Sequence, residues 1–166
     1  MIDLAKARLA LHNWVKTELE IEAIWEDQGY PRPQLPYASL KIISGPIRAG
    51  TDELRQVSSG VFSVAGLRRI VVSVQVYGED ALLKGSALQT SLSKHSTSAS
   101  LNAGGLALIR ATDVKDVTVA LDNRFESRAH LDAEFYLAEN EVDDPGLIEK
   151  VEVTNEVDGS TSTVQV

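Results

Sequence analysis

A strict alternation of apolar and polar side chains late in the chain restricts the fold more than any other feature. One phase of this alternation consists of Phe125, Ser127, Ala129, Leu131, Ala133, Phe135 and Leu137. The other phase consists of Glu126, Arg128, His130, Asp132, Glu134 and Tyr136. A period of two residues places successive side chains on opposite faces of a strand. The sequence therefore predicts a long antiparallel strand with one buried face and one face in water.

Shorter apolar runs predict further strands earlier in the chain. Residues 67–77 predict a central strand, joined to a strand at 56–64 by a hairpin turn at Ala65-Gly66. Residues 37–44 predict another strand, which Gly45-Pro46 should end, and a looser stretch follows it. Alternation over 17–25 predicts a strand that ends at Trp25.

Two segments have the spacing of amphipathic helices. Asp3 can cap a first helix whose apolar stripe is Leu4, Ala7, Leu11 and Trp14. A second helix follows Gly78, with a buried stripe of Ala81, Gly85, Leu88 and Leu92. The serine-rich residues 96–100 predict a linker. The element order predicts an α+β domain over residues 1–154, with a mainly antiparallel sheet and two helices on one face. Residues 155–166 lack a core pattern and predict a polar tail or arm.

Composition excludes several classes of function. With 16 Lys and Arg against 24 Asp and Glu, the net charge is −8, which argues against a dedicated nucleic-acid-binding domain. The absence of cysteine excludes disulfides, thiolate metal sites and cysteine nucleophiles. The apolar runs are too short to cross a membrane. Asp3, Lys6 and Arg8 interrupt any signal-peptide core, so we expect synthesis in the cytoplasm.

The sequence contains one cluster of carboxylates that could bind a cation. Asp132 and Glu134 share a strand face, and Asp143 and Asp144 lie in the turn that follows. A polar sheet face beside a turn explains these residues more simply. The chain lacks a nucleophile elbow and a phosphate-binding glycine loop. We therefore predict no catalytic, cofactor or metal site.

A proline-rich link over residues 28–36 carries side chains of the kind found at protein interfaces. Trp25 precedes the link, Arg32 lies within it and Tyr37 follows it. Tryptophan, tyrosine and arginine are enriched at the energetic centres of interfaces. The alternative is that these side chains close one end of the core.

Several short motifs together resemble a known family, the neck or tail-terminator proteins of tailed bacteriophages, including prophages with contractile tails. In chain order the motifs are Ile24-Trp25, Pro31-Arg32-Pro33, Leu35-Pro36-Tyr37, Val74-Gln75-Val76-Tyr77-Gly78, Arg128-Ala129, Leu131-Asp132, Phe135, Asp143-Asp144-Pro145-Gly146, Ile148-Glu149 and Val151-Glu152. The order and spacing carry the resemblance, which extends from about Trp14 to Val153.

The resemblance implies a structural virion protein and no enzymatic activity. Such a protein would form a ring, expected to be a hexamer, at the head-proximal end of a phage tail, after assembly in the bacterial cytoplasm. It would end tail-tube polymerisation and join the tail to the neck or head connector. Its partners would be further copies, the tail-tube protein, the sheath and connector proteins, while DNA passes through the lumen without specific binding. The expected interface residues are Trp25, Arg32, Tyr37 and Arg128.

Two other classes of protein remain as alternatives. The first is a metal-dependent enzyme or binding module that uses the carboxylates of Asp132, Glu134, Asp143 and Asp144. The second is a monomeric adaptor or chaperone.

Overall fold

The computed structural model describes residues 1–29, 31–121, 124–147, 150–154, 157 and 160–165. Helix α1 spans Leu4–Leu19, and the Asp3 side chain caps it by accepting a 2.9 Å hydrogen bond from the Lys6 backbone N–H. The helix ends at Glu20, whose left-handed backbone (φ 53°) turns the chain. The strand predicted over 17–25 is therefore only Glu22–Trp25, which is β1.

The next two strands form a hairpin that is much longer than predicted. Strand β2 spans Tyr37–Ser58 and β3 spans Val61–Tyr77, so the turn lies at Ser59 and Gly60. Gly60 has a φ of 73°, which glycine adopts without strain. The predicted turn at Ala65-Gly66 and the predicted strand end at Gly45-Pro46 are both wrong.

Gly45 continues the strand instead of ending it because it allows a close backbone approach. At φ 97°, a Cβ on this residue would lie 2.3 Å from the Arg69 carbonyl oxygen. Only glycine fits at that position, so the Gly-Pro pair reflects packing between strands rather than a turn.

The second predicted helix is confirmed, and the predicted serine-rich linker is wrong. Helix α2 spans Ala81–Ser91, and α3 spans His95–Ala103. Thr97 and Leu101 are the buried residues of α3, four positions apart on one helix face. Strand β4, Leu106–Ala111, follows α3.

Six further strands of different lengths complete the described chain. They are β5 (Lys115–Asp116), β6 (Val119–Leu121), β7 (Arg124–Glu126), β8 (Arg128–Asp143), β9 (Lys150–Thr154) and β10 (Thr161–Gln165). The predicted long strand is thus confirmed from Arg128 onward, whereas Phe125 lies in β7 and is exposed. Within the segment predicted as a polar tail, β10 pairs antiparallel with β9. Ile148-Glu149 lies outside the described residues.

A mixed sheet of six strands organises the fold. Its order is β1-β2-β3-β8-β4, with β5 also paired to β8. Strand β1 runs parallel to β2, whereas β4 and β5 run antiparallel to β8. The α+β class is confirmed. The sheet is mixed, since β1 and β2 are parallel while β4 and β5 are antiparallel to β8, and the described chain has three helices rather than the two predicted.

The two faces of the sheet differ in chemistry. On one face Ile70, Val72, Val74 and Val76 of β3 are fully buried in a core with residues of all three helices. Trp14 of α1 meets Phe135 of β8 edge to face, with ring centroids 6.5 Å apart. The opposite face carries polar side chains from the same strands, such as Gln75 and His130.

The chain divides into two compact units. The first unit contains Met1–Thr51 and Gly66–Glu139, and the second contains Asp52–Ala65 and Asn140–Val166. Strands β2, β3 and β8 contribute residues to both units, and one domain over residues 1–154 stays a prediction. Among the helices of the described chain, none combines the length and apolar content that membrane crossing requires.

Candidate interface site

Three of the four residues predicted from the sequence lie together on the polar face of the sheet. Arg32, Tyr37 and Arg128 meet Tyr77 and Glu126, and we call these five residues the arginine–tyrosine cluster. The rings of Tyr37 and Tyr77 are stacked, with centroids 4.6 Å apart and planes 7° apart. The stack forms because Tyr37 begins β2 and Tyr77 ends the neighbouring strand β3.

Both arginines of the cluster lie over the tyrosine rings. The guanidinium carbon of Arg128 is 4.5 Å from the centroid of Tyr77. The guanidinium carbon of Arg32 is 5.5 Å from the Tyr37 centroid and 5.7 Å from that of Tyr77. These distances permit cation–π attraction, which is stronger where water is excluded.

A buried carboxylate holds the two arginines in place. Arg32 Nη2 donates to Glu126 Oε2 at 2.5 Å, and Arg128 Nη2 donates to Glu126 Oε1 at 3.2 Å. The hydrogen bond from Arg32 is the main cause of a lowered pKa for the Glu126 carboxyl. The same bond raises the pKa of the Arg32 guanidinium above its ordinary value. The charged states of Glu126 and Arg32 are thus stabilised by their mutual contact.

The cluster attaches the proline-rich link to the sheet. Arg32 belongs to the link, and its side chain is half exposed, while the Glu126 side chain is only 3% exposed. Burial is also the main cause of a raised pKa for the Tyr37 hydroxyl. The side chains of Tyr37 and Trp25 are both buried, which favours the alternative that these two close one end of the core. Of the four predicted residues, Arg32 exposes the largest fraction of its side chain to solvent.

Trp25 lies apart from the cluster, beside a different arginine. The guanidinium carbon of Arg8 is 4.7 Å from the ring centroid of Trp25, and Arg8 also pairs with Asp27. Trp25 lines a cleft of about 630 Å³ at the outer edge of β1. His12 of α1, residues 31–34 and all four residues of β1 line this cleft, and His12 Nε2 lies 3.0 Å from the Ala23 carbonyl oxygen. We call it the β1 cleft.

The carboxylates considered as metal ligands contact other side chains or lie elsewhere in the chain. Asp132 contacts His130 at 3.0 Å. Glu134 accepts from Arg110 at 2.6 Å and lies 3.8 Å from Arg69, and the Arg110 hydrogen bond lowers its pKa. Asp143 and Asp144 belong to the second unit. In the part of the chain that the structure describes, no group of three metal-ligating side chains occurs.

Two members of the cluster were not predicted as site residues. Tyr77 occurs only within one motif of the family resemblance, and the alternation predicts Glu126 on the wet face of the long strand. Glu126 is buried because the strand is interrupted at Ser127, which leaves Glu126 at the end of the separate strand β7. Glu126 lies two residues before Arg128, and its other partner, Arg32, lies in the distant link. These positions form no pattern that a single sequence reveals.

Comparison with known families assigns the chain to a class of phage protein. The model of the phage neck terminator protein family matches residues 7–163, which is nearly the whole chain. A search of curated proteins found no match. The chain therefore belongs to the phage neck terminator protein family, a structural family of the phage neck and tail.

Proposed function

We propose that the chain assembles into a hexameric ring at the head-proximal end of a phage tail. The ring ends polymerisation of the tail tube and provides the surface to which the neck or head connector binds. The family match over residues 7–163 is the observation that carries this proposal. The role depends on geometry and requires no conversion of a substrate.

A ring requires contacts in which two different surfaces of one subunit meet on successive copies. The described chain offers side chains suited to such contacts. Arg32 is half exposed yet fixed in direction by the buried Glu126. An arginine held in this way loses little conformational freedom on binding, which favours its use at an interface. Tyr37 and Arg128 belong to the same cluster as Arg32, and Trp25 lines the β1 cleft together with Arg32.

Net charge supports a channel through which DNA passes without being held. The first unit contains 15 carboxylates and 14 Lys or Arg residues, whereas the second contains nine carboxylates and two such cations. The formal charges are therefore −1 and −7. Binding of a nucleic-acid backbone depends on cations that neutralise phosphates, and the second unit has few. We infer that a lumen lined by the second unit would repel DNA.

The test is the length distribution of tails that assemble without this protein. Negative-stain micrographs should show overlong tubes when its gene is deleted, and normal lengths when the wild-type chain is supplied from a plasmid. The empty plasmid, which supplies no chain, is the control and should leave the tubes overlong. Tails of unchanged length in the deletion strain would exclude a terminator role.

A further inference from the structure

The six-stranded sheet of the described chain has two outer strands. Strand β1 is at one end of the order and β4 is at the other. Natural sheets protect their edges with lysine, proline or bulges because an open edge pairs with other chains. Strand β4 reads Leu-Ala-Leu-Ile-Arg-Ala, in which Arg110 is the single charge, and it has one register shift.

The β1 edge has the form of a receptor for an extended segment. Glu22–Trp25 runs along the β1 cleft, between His12 and the proline-rich link. A second cleft of about 440 Å³ shares His12, Trp25 and Gln28 with it. The β1 cleft is therefore lined by all four residues of an outer strand, with His12 Nε2 lying 3.0 Å from the Ala23 carbonyl oxygen, and a partner that adds a strand to a sheet binds along such an edge.

The strand directions suit pairing between the two edges. Strand β1 is parallel to β2, and the two-residue turn makes β3 antiparallel to β2. The contacts Ser73–His130 and Arg68–Glu139 run in opposite senses along β3 and β8, so that pair is also antiparallel. Strand β4 is antiparallel to β8. Following these directions across the sheet, β4 runs opposite to β1. A second copy that continued the sheet would thus add an antiparallel pair.

Side chains at the two edges are also complementary. Glu22 of β1 is exposed, while Arg110 of β4 and the nearby Lys115 are exposed and basic. A small cleft of about 360 Å³ beside β4 includes the apolar side chains of Leu92, Leu101 and Leu108. Opposite charges at the rim and apolar groups at the centre favour one edge meeting the other, rather than like meeting like.

We propose that β4 of one copy pairs antiparallel with β1 of the next copy and occupies its β1 cleft. This contact joins two different surfaces, so repetition around an axis closes a ring. The inference rests on the proposed ring and specifies which surfaces form its contact. Glu22, Ile24 and Ala107 then lie on the same face of the joined sheet, because Ala23 and Trp25 face the core and Ala107 is opposite Tyr136.

Disulfide trapping tests the contact directly, since the natural chain contains no cysteine. The trapping variants combine Ala107→Cys with either Glu22→Cys or Ile24→Cys, which samples two registers of the same face. Each is supplied to the deletion strain, and purified tails are oxidised and run on a non-reducing denaturing gel. Most chains of one variant should enter a ladder of bands that extends beyond the dimer. The matched control pairs Glu22→Cys with Leu83→Cys, on an exposed part of α2, and should remain monomeric.

A second variant keeps the inference testable where cysteines disturb folding. Ala107→Lys places a charge on the β4 edge, and Leu83→Lys places the same charge on α2. We expect Ala107→Lys to lose ring assembly in light scattering and to produce overlong tails, with an unchanged melting temperature. Leu83→Lys should behave like the wild-type chain.

The possible failures are distinguishable. Normal tails with no ladder in either trapping variant, together with normal tails from Ala107→Lys, would overturn the edge contact and leave the terminator role intact. Tails of normal length in the deletion strain that receives no copy of the gene would instead overturn the terminator role itself.

Discussion

The two faces of the six-stranded sheet are built from the same strands but are stabilised in different ways. The face toward the helices buries aliphatic side chains and Phe135 completely. The opposite face holds pairs of charges, with Glu126 between two arginines and Glu134 between Arg69 and Arg110. Removal of apolar area from water stabilises the first face. On the second face, hydrogen bonds between charged groups hold the side chains in defined orientations.

This difference separates the residues that determine folding from those available for assembly. Apolar burial is strong and has no directional preference, so it secures the sheet on the helices. Ion pairs near the surface contribute little stability but hold side chains in defined positions. We therefore expect substitutions on the helix face to reduce stability, and substitutions on the polar face to affect assembly.

The largest expected effect is that of Phe135→Ala on the helix face. Phe135 is fully buried and meets Trp14, so truncation leaves a cavity that the core fills only in part. The expected loss is about 3–5 kcal/mol in the free energy of unfolding, measured by urea denaturation. The control is Tyr136→Ala, the next residue on the opposite face, which should lose less than half as much. Equal losses would show that the two faces do not differ.

Glu126→Gln should have the next largest effect on stability. The substitution keeps the shape of the side chain but removes the charge that holds Arg32 and Arg128. Because Arg32 is half exposed and can turn to water, the expected loss is about 1–2 kcal/mol. The measurement is urea denaturation at neutral pH. A loss as large as that of Phe135→Ala would place Glu126 among the folding determinants.

The contribution of Glu126 should depend on pH in a defined direction. Its pKa is lowered in the folded chain, mainly by the hydrogen bond from Arg32, so folding favours the ionised carboxyl. The stabilisation is complete above the unfolded pKa of about 4.3 and is lost as the pH falls through the folded value. The stability difference between the wild-type chain and Glu126→Gln should therefore shrink in acid. A difference that stays constant from neutral to acid pH would contradict this account.

Arg128→Ala should affect assembly more than folding. The substitution removes the contact with the Tyr77 ring and one hydrogen bond to Glu126, at an expected cost of about 1 kcal/mol. The isolated chain should stay folded by circular dichroism, while light scattering should show fewer rings. Arg128→Lys keeps the charge without the planar group and should recover only part of the assembly. Unfolding of the Arg128→Ala monomer would show that the residue is structural.

The sequence predicted the elements whose pattern reflects burial on one face. The stripes of α1 and α2 and the alternation from Arg128 onward are confirmed because one side of each meets the core. The errors occur where glycine or serine has more than one use. Gly45 permits close packing within β2, and the serines at 96–100 tolerate a helix that only Thr97 and Leu101 attach to the core.

The site was predicted in part, for a related reason. Arginine and tyrosine near the proline-rich link were recognisable by residue type, and the structure places Arg32, Tyr37 and Arg128 together. Glu126 was not recognisable, since its partner Arg32 is 94 residues away in the sequence. Contacts between positions so distant in sequence leave no periodic pattern.

The smallest stability effect is expected for Arg110→Gln, which sharpens the contrast within the polar face. Arg110 pairs with Glu134 at 2.6 Å, but its side chain is 69% exposed. Exposed ion pairs contribute little stability, and salt screens them, so the melting temperature should barely change. Assembly should slow at low salt, because Arg110 lies near Glu22 of the next copy when Ala107 is opposite Ile24 in the proposed contact, and high salt should remove the difference. A stability loss equal to that of Glu126→Gln would mean that exposure does not distinguish the two ion-pair groups. Slower assembly that persists at high salt would mean that Arg110 acts through its shape rather than its charge.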